Sequence, residues 1–127
     1  MKSALLVSPR PDLFTLVANA LVADGAEIAE GAGGVVQLTD ALGRILTVFG
    51  DADLELQELR KVSLVGPDGA VVDTAHVSAC VIECRWEDLF VETMKRLADL
   101  VPEPLLVVDG DDVVWPAGKV DPARVKL

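Results

Sequence analysis

The sequence predicts an α+β fold, a mostly antiparallel mixed sheet with two main helices packed on one face. Three observations carry this. Short apolar runs recur along the chain, separated by turns rich in Gly, Asp and Pro. Two stretches, 11–24 and 86–101, repeat apolar residues at helical spacing. Each of these follows an apolar strand and leads to a strand, a turn and a second strand, so a β-α-β-β unit reads as occurring twice. Asp12-Leu13-Phe14 recurs as Asp88-Leu89-Phe90, and Leu21 and Leu97 share an offset.

In order, Ala4–Ser8 is apolar without alternation, which marks a buried strand, and Pro9 and Pro11 stop it. Leu13, Phe14, Val17, Ala20 and Leu21 give the first helix, Pro11–Asp24, with Gly25 as its stop. Ala26–Glu30 reads as a strand. Val35–Thr39 and Ile45–Phe49 read as a hairpin around Asp40-Ala-Leu-Gly43. Asp51–Lys61 fits neither period cleanly and is assigned a strand over Leu54–Leu59. Val62–Val65 and Ala70–Asp73 flank Gly66-Pro67-Asp68-Gly69, a tight hairpin turn. Val77–Cys84 is apolar on both faces and belongs at the sheet centre. Trp86, Leu89, Phe90, Thr93, Met94, Leu97, Leu100 and Val101 form the stripe of the second helix, Trp86–Val101, closed by Pro102 and Pro104. Leu105–Val108 and Val113–Trp115 then form a short hairpin around Asp109-Gly110-Asp111-Asp112, with Pro116 ending the second strand.

At 127 residues the chain is a single domain, residues 1–127. Hydrophobic residues make up 51% and aromatics 4%, with no Tyr, so the core is aliphatic. The mean hydropathy of +0.41 excludes a disordered composition. The 21 acidic against 11 basic residues give a formal charge of -10. That field opposes nucleic acid and anionic membranes and favours a cationic partner. Met1–Ser8 does not read as a leader, and no apolar run reaches the ~20 residues of a membrane span, so a cytoplasmic location is expected. Cys80 and Cys84 lie about 13 Å apart along one strand, beyond disulfide reach. They read as small buried thiols.

Each candidate for chemistry has a plainer structural reading beside it. Asp109-Gly-Asp111-Asp112 has clustered carboxylates for a hard cation but not the spacing of a calcium loop, so turn chemistry is favoured over metal. Asp51-Ala-Asp53-Leu-Glu55 is a lone acidic triplet, and a solvated edge is favoured. His76 precedes a buried strand, and neither Ser78 nor Cys80 has a nucleophile's setting. Gly31-Ala-Gly33-Gly34 leads into a strand, whereas a phosphate cradle needs a helix start. Trp86 is expected in the core and Trp115 at an interface. No catalytic constellation, metal set or cofactor is expected. What stands out is acid: Asp99, Glu103, Asp109, Asp111 and Asp112 occur with no Lys or Arg from Leu97 through Val114.

The helix start Trp86-Glu87-Asp88-Leu89-Phe90 and the hairpin Val107–Trp115 resemble the ending of small acidic immunity proteins encoded beside secreted toxins in bacteria. The resemblance covers about a quarter of the chain. It implies a non-enzymatic inhibitor that covers the active site of one cognate toxin domain. Many such toxins attack nucleic acid and so carry basic clefts. The expected partner-binding set is therefore Asp99, Glu103, Asp109, Asp111, Asp112 and Trp115. The rival reading is a small-molecule-binding protein with a cavity between sheet and helices. A homodimer through an uncovered strand such as Ile45–Phe49 also remains open.

Overall fold

The computed structural model describes residues 2–29, 33–102 and 104–127. Seven strands form one sheet: β1 (Ser3–Ser8), β2 (Glu27–Ala29), β3 (Val35–Thr39), β4 (Ile45–Phe49), β5 (Ser78–Cys84), β6 (Leu106–Val108) and β7 (Val114–Pro116). Their spatial order is β2-β3-β4-β5-β1-β6-β7. Three helices accompany them: α1 (Leu13–Ala23), α2 (Asp53–Leu59) and α3 (Glu87–Leu100). The fold is α+β, as the sequence predicts.

Every pairing is antiparallel, so the sheet is not mixed. The reason lies in the crossovers. Through α3 the chain passes from β5 to β6, which run in the same direction, but β1 lies between them and pairs antiparallel with both. Through α1 it passes from β1 to β2 at the far edge and meanders back inward. After α3 it arrives beside the centre and meanders outward to β7. The two halves thus share their elements but not their strand order.

The centre of the sheet is apolar on both faces, which requires cover on both. Ala4 and Leu6 of β1, with Cys80, Ile82 and Cys84 of β5, face α1 and α3, where Phe90, Met94, Leu97, Val17 and Leu21 complete the main core. Both cysteines are free, and burial pushes the Cys80 thiol up to about 12. Leu5, Val7 and Ala79 face the other way, toward Leu56, Leu59 and Leu64. Thus α1 and α3 share one face, and α2 lies on the opposite one.

Helix ends follow local chemistry. Past α1, the Gly25 N–H donates to the Val22 carbonyl and the Ala26 N–H to the Leu21 carbonyl, a Schellman stop with Gly25 at φ +97°. At α3, Glu87 and Asp88 occupy the first turn, at the positive end of the dipole.

The strand expected over Leu54–Leu59 is instead helix α2. Ala52, Leu56 and Leu59 are spaced i, i+4, i+7 and turn inward, Ala52 and Leu59 being fully buried, while Leu54 is 74% exposed. Asp53 and Glu55 suit the helix start. The hairpin expected over 62–73 keeps its turn but not its strands. Only Val65 and Val71 form a bridge, and Leu64 pins the segment to the second core.

A stability comparison tests the helical reading of α2. Leu59→Ala is expected to destabilise by about 2–5 kcal/mol. Leu54→Ala is expected to stay within about 0.5 kcal/mol, both measured by urea unfolding.

Candidate functional site

The turn between β6 and β7 is built around one buried carboxylate. The Asp109 N–H donates to the Val113 carbonyl at 3.0 Å and the Asp112 N–H to the Asp109 carbonyl at 3.1 Å. Asp109 Oδ1 accepts from the Asp111 and Val113 N–H groups at 2.9 and 3.0 Å. Its Oδ2 accepts from the Trp115 indole N–H at 3.0 Å and the Lys126 N–H at 3.3 Å. The Gly110 N–H completes the clasp on the Lys126 carbonyl. Asp109 is 4% exposed.

The β3–β4 hairpin repeats this design. Asp40 Oδ1 accepts from the Leu42 and Arg44 N–H groups, and Gly43 takes the left-handed slot at φ +78°. In the second hairpin that slot falls to Asp112, at φ +59°. Both are three-residue loops, a type I turn followed by a left-handed residue. Asp40 differs in taking the Arg44 guanidinium on Oδ2 at 2.7 Å. Asp109 accepts only from neutral groups among the described residues, three backbone N–H groups and one indole.

The residues of the expected binding set are placed differently from one another. Asp109 is a structural group of the turn, since its oxygens point inward to four donors. Trp115 is half-buried, tied to Asp109 and flanked by the Arg124 guanidinium 5.6 Å from its ring centre. Asp99 is exposed on α3, on the other face of the sheet. Glu103 lies outside the described residues. Asp111 and Asp112 remain as exposed carboxylates at the turn tip.

The structure brings other acids to them. A groove of about 500 Å³ runs between α2 and the sheet, and Glu55, Glu58, Glu83, Asp109 and Asp112 line it. No Lys or Arg lines it. Three separate sequence stretches supply these carboxylates, and Glu55 and Glu58 join because α2 is helical. Several basic side chains pair elsewhere. Lys2 pairs with Glu87 at 2.8 Å, Arg44 with Asp88 at 2.9 Å and Arg96 with Asp24 at 2.9 Å, all around α1 and α3. At the groove Lys61 pairs with Glu58 at 2.9 Å.

The remaining candidates fall into structural roles. His76 is exposed on a 3-10 turn with Nδ1 2.7 Å from Asp73 Oδ2. Asp51 Oδ1 accepts from the Asp53 N–H. Gly33 and Gly34 lead into β3, and a side chain at Gly34 would strike the Phe14 ring. Gly31 and Ala32 lie outside the described residues. Trp86 packs against the main core at the start of α3, with Arg44 5.8 Å from its ring centre. Ile45–Phe49 is paired on both sides, by β3 and β5, so the sheet's free edges are β2 and β7. Among the described residues no three His, Cys, Asp or Glu form a metal-holding group. No described helix is long and apolar enough to cross a membrane. Between α1, α3 and the β3–β4 hairpin lies an open groove of about 530 Å³, where Asp99, Glu92 and the Arg96–Asp24 pair meet Leu21, Leu38 and Leu89.

Two substitutions separate the roles of the turn acids. Asp109→Ala strands four donors and is expected to cost about 3 kcal/mol, with a red shift of tryptophan emission as Trp115 loosens. Asp112→Gly relieves the left-handed backbone and is expected to stabilise by up to about 1 kcal/mol in the same unfolding assay. Acid lowers stability by a separate route. Hydrogen bonds from Arg96, Arg44 and Lys2 hold Asp24, Asp88 and Glu87 below the ordinary carboxylate range. A folded pKa below the unfolded one gives stability that is present above about pH 4 and lost as pH falls further. The thermal midpoint is expected to fall in that window, and less so in Arg96→Gln. Compared with protein-family models, curated proteins and solved structures, the chain finds no match.

Proposed function

We propose that this protein works by docking, as a non-enzymatic inhibitor of the immunity or antitoxin kind in the cytoplasm, holding a basic cognate toxin domain against its acidic side. The observation that supports this most is the partition of charge. Lys2, Arg44 and Arg96 pair with acids around α1 and α3, while about the α2 groove and the β6–β7 turn Lys61 on Glu58 is the one ion pair among the described residues, and Glu55, Glu83, Asp111 and Asp112 form none. Such a surface draws in a cationic cleft and repels phosphate. The rigid turn below it supports the same reading, because Asp109 fixes the direction in which Asp111 and Asp112 project.

Co-expression with the neighbouring gene product, expected to be a basic toxin domain, provides the test. Host cells are expected to survive that domain only when this chain is present. Asp111→Lys combined with Asp112→Lys is expected to slow association about tenfold or more and flatten its salt dependence, with dissociation little changed. Unchanged rate and salt slope would remove the acidic turn from the interface. Reproducible turnover of a substrate, lost in His76→Ala, would overturn the non-enzymatic reading.

A further inference from the structure

The groove between α2 and the sheet is not simply acidic. Its floor is apolar: Leu5 and Val81 are half-buried, Leu59 is buried, and Val62 is 42% exposed. Beside it, Leu54 is 74% and Val113 45% exposed, next in sequence to Glu55 and Asp112. Carboxylates therefore rim an open apolar strip, on the only side where the sheet centre is covered by a two-turn helix. We infer that this groove receives one cationic amphipathic segment of a partner protein, with an apolar side chain on the floor and Lys or Arg on Glu55, Glu83 and Asp112. The inference rests on the docking reading above and names the chemistry of the partner's contacting segment.

Charge complementarity chooses this occupant. With no Lys or Arg among the described residues of its lining, and Lys61 at its edge already engaged by Glu58, the groove gives an anionic ligand little counter-charge. A second copy fits no better, since a two-fold contact would set Glu55, Glu83 and Asp112 against their own copies. A volume of about 500 Å³ admits a few side chains from one segment, not a folded domain. The apolar strip adds what charge alone lacks, a contact that salt does not screen.

The test uses the whole chain and three short synthetic peptides, alternating Lys with Leu, Lys with Ser, and Ser with Leu, followed by calorimetry. The Lys–Leu peptide is expected to bind at least about tenfold more tightly than either control. Glu55→Lys with Glu83→Lys is expected to remove about tenfold or more of that affinity. Glu92→Lys with Asp99→Lys on α3, an equal change in charge, is expected to stay within about twofold. Val62→Ser, at an exposed position that does not endanger folding, is expected to weaken Lys–Leu binding and leave Lys–Ser unchanged. Equal binding of Lys–Leu and Lys–Ser peptides would overturn the inference, as would equal losses in the two charge-reversal variants. The toxin reading fails separately. If the groove behaves as expected but the neighbouring domain is not neutralised, that reading falls and the groove stands. If neutralisation survives Glu55→Lys with Glu83→Lys undiminished, the groove falls and the reading stands.

Discussion

Two strands that are apolar on both faces cannot sit at the centre of an open sheet unless something lies on each side. That constraint on β1 and β5 organises the molecule. On one face α1 and α3 bury Leu6, Cys80 and Ile82 completely. On the other, the chain between β4 and β5 supplies only α2 and an irregular segment pinned by Leu64. That cover is sufficient for Val7, at 1% exposure, but leaves Leu5 and Val81 half open. The groove is the gap left by this thinner layer, so its position follows from the packing problem and its acidity from the residues placed around it.

The acidic turn shows how one residue type does two different jobs within four positions. Asp109 is buried and accepts four hydrogen bonds, whereas Asp111 and Asp112 face water. A buried carboxylate is tolerated only when donors surround it, and here the hairpin, the indole and the C-terminal segment all converge on it. Removing the charge of Asp111 changes a surface. Removing that of Asp109 loosens three pieces of chain at once.

Much of the frame was legible because local signals agreed. In 86–101 the apolar stripe, the acidic first turn and the closing prolines all pointed to one helix, and α3 is found at Glu87–Leu100. The β3–β4 hairpin was legible for the same reason, with Asp40 and Gly43 at the turn. The α2 segment was not, because Leu54 breaks the inward pattern of Ala52, Leu56 and Leu59. Giving the exposed leucine equal weight turned a helical stripe into an apparent strand. The groove was hidden by that same error, since Glu55 and Glu58 approach Asp112 only on a helix. A further loss came from reading sequence proximity as spatial proximity. Asp99 is ten residues from Asp109 yet lies across the sheet, while Glu83, far off in sequence, joins the groove through its place at the end of β5. Charge runs count carboxylates but do not say which face each strand or helix presents.

The partition of charge also bears on what the acid is for. Exposed ion pairs such as Arg96–Asp24 contribute little each, about 0–1 kcal/mol, so their placement around α1 and α3 is a weak source of stability. They offset part of the acid on that side, where Glu92 and Asp99 form no ion pair among the described residues. The groove side offsets less of its acid, with Lys61 on Glu58 the one ion pair at the groove lining among the described residues. A cationic segment approaching the groove would feel that acid over a Debye length of roughly 8 Å at physiological salt. The acid would thus aid encounter, and the apolar floor would hold the complex once formed.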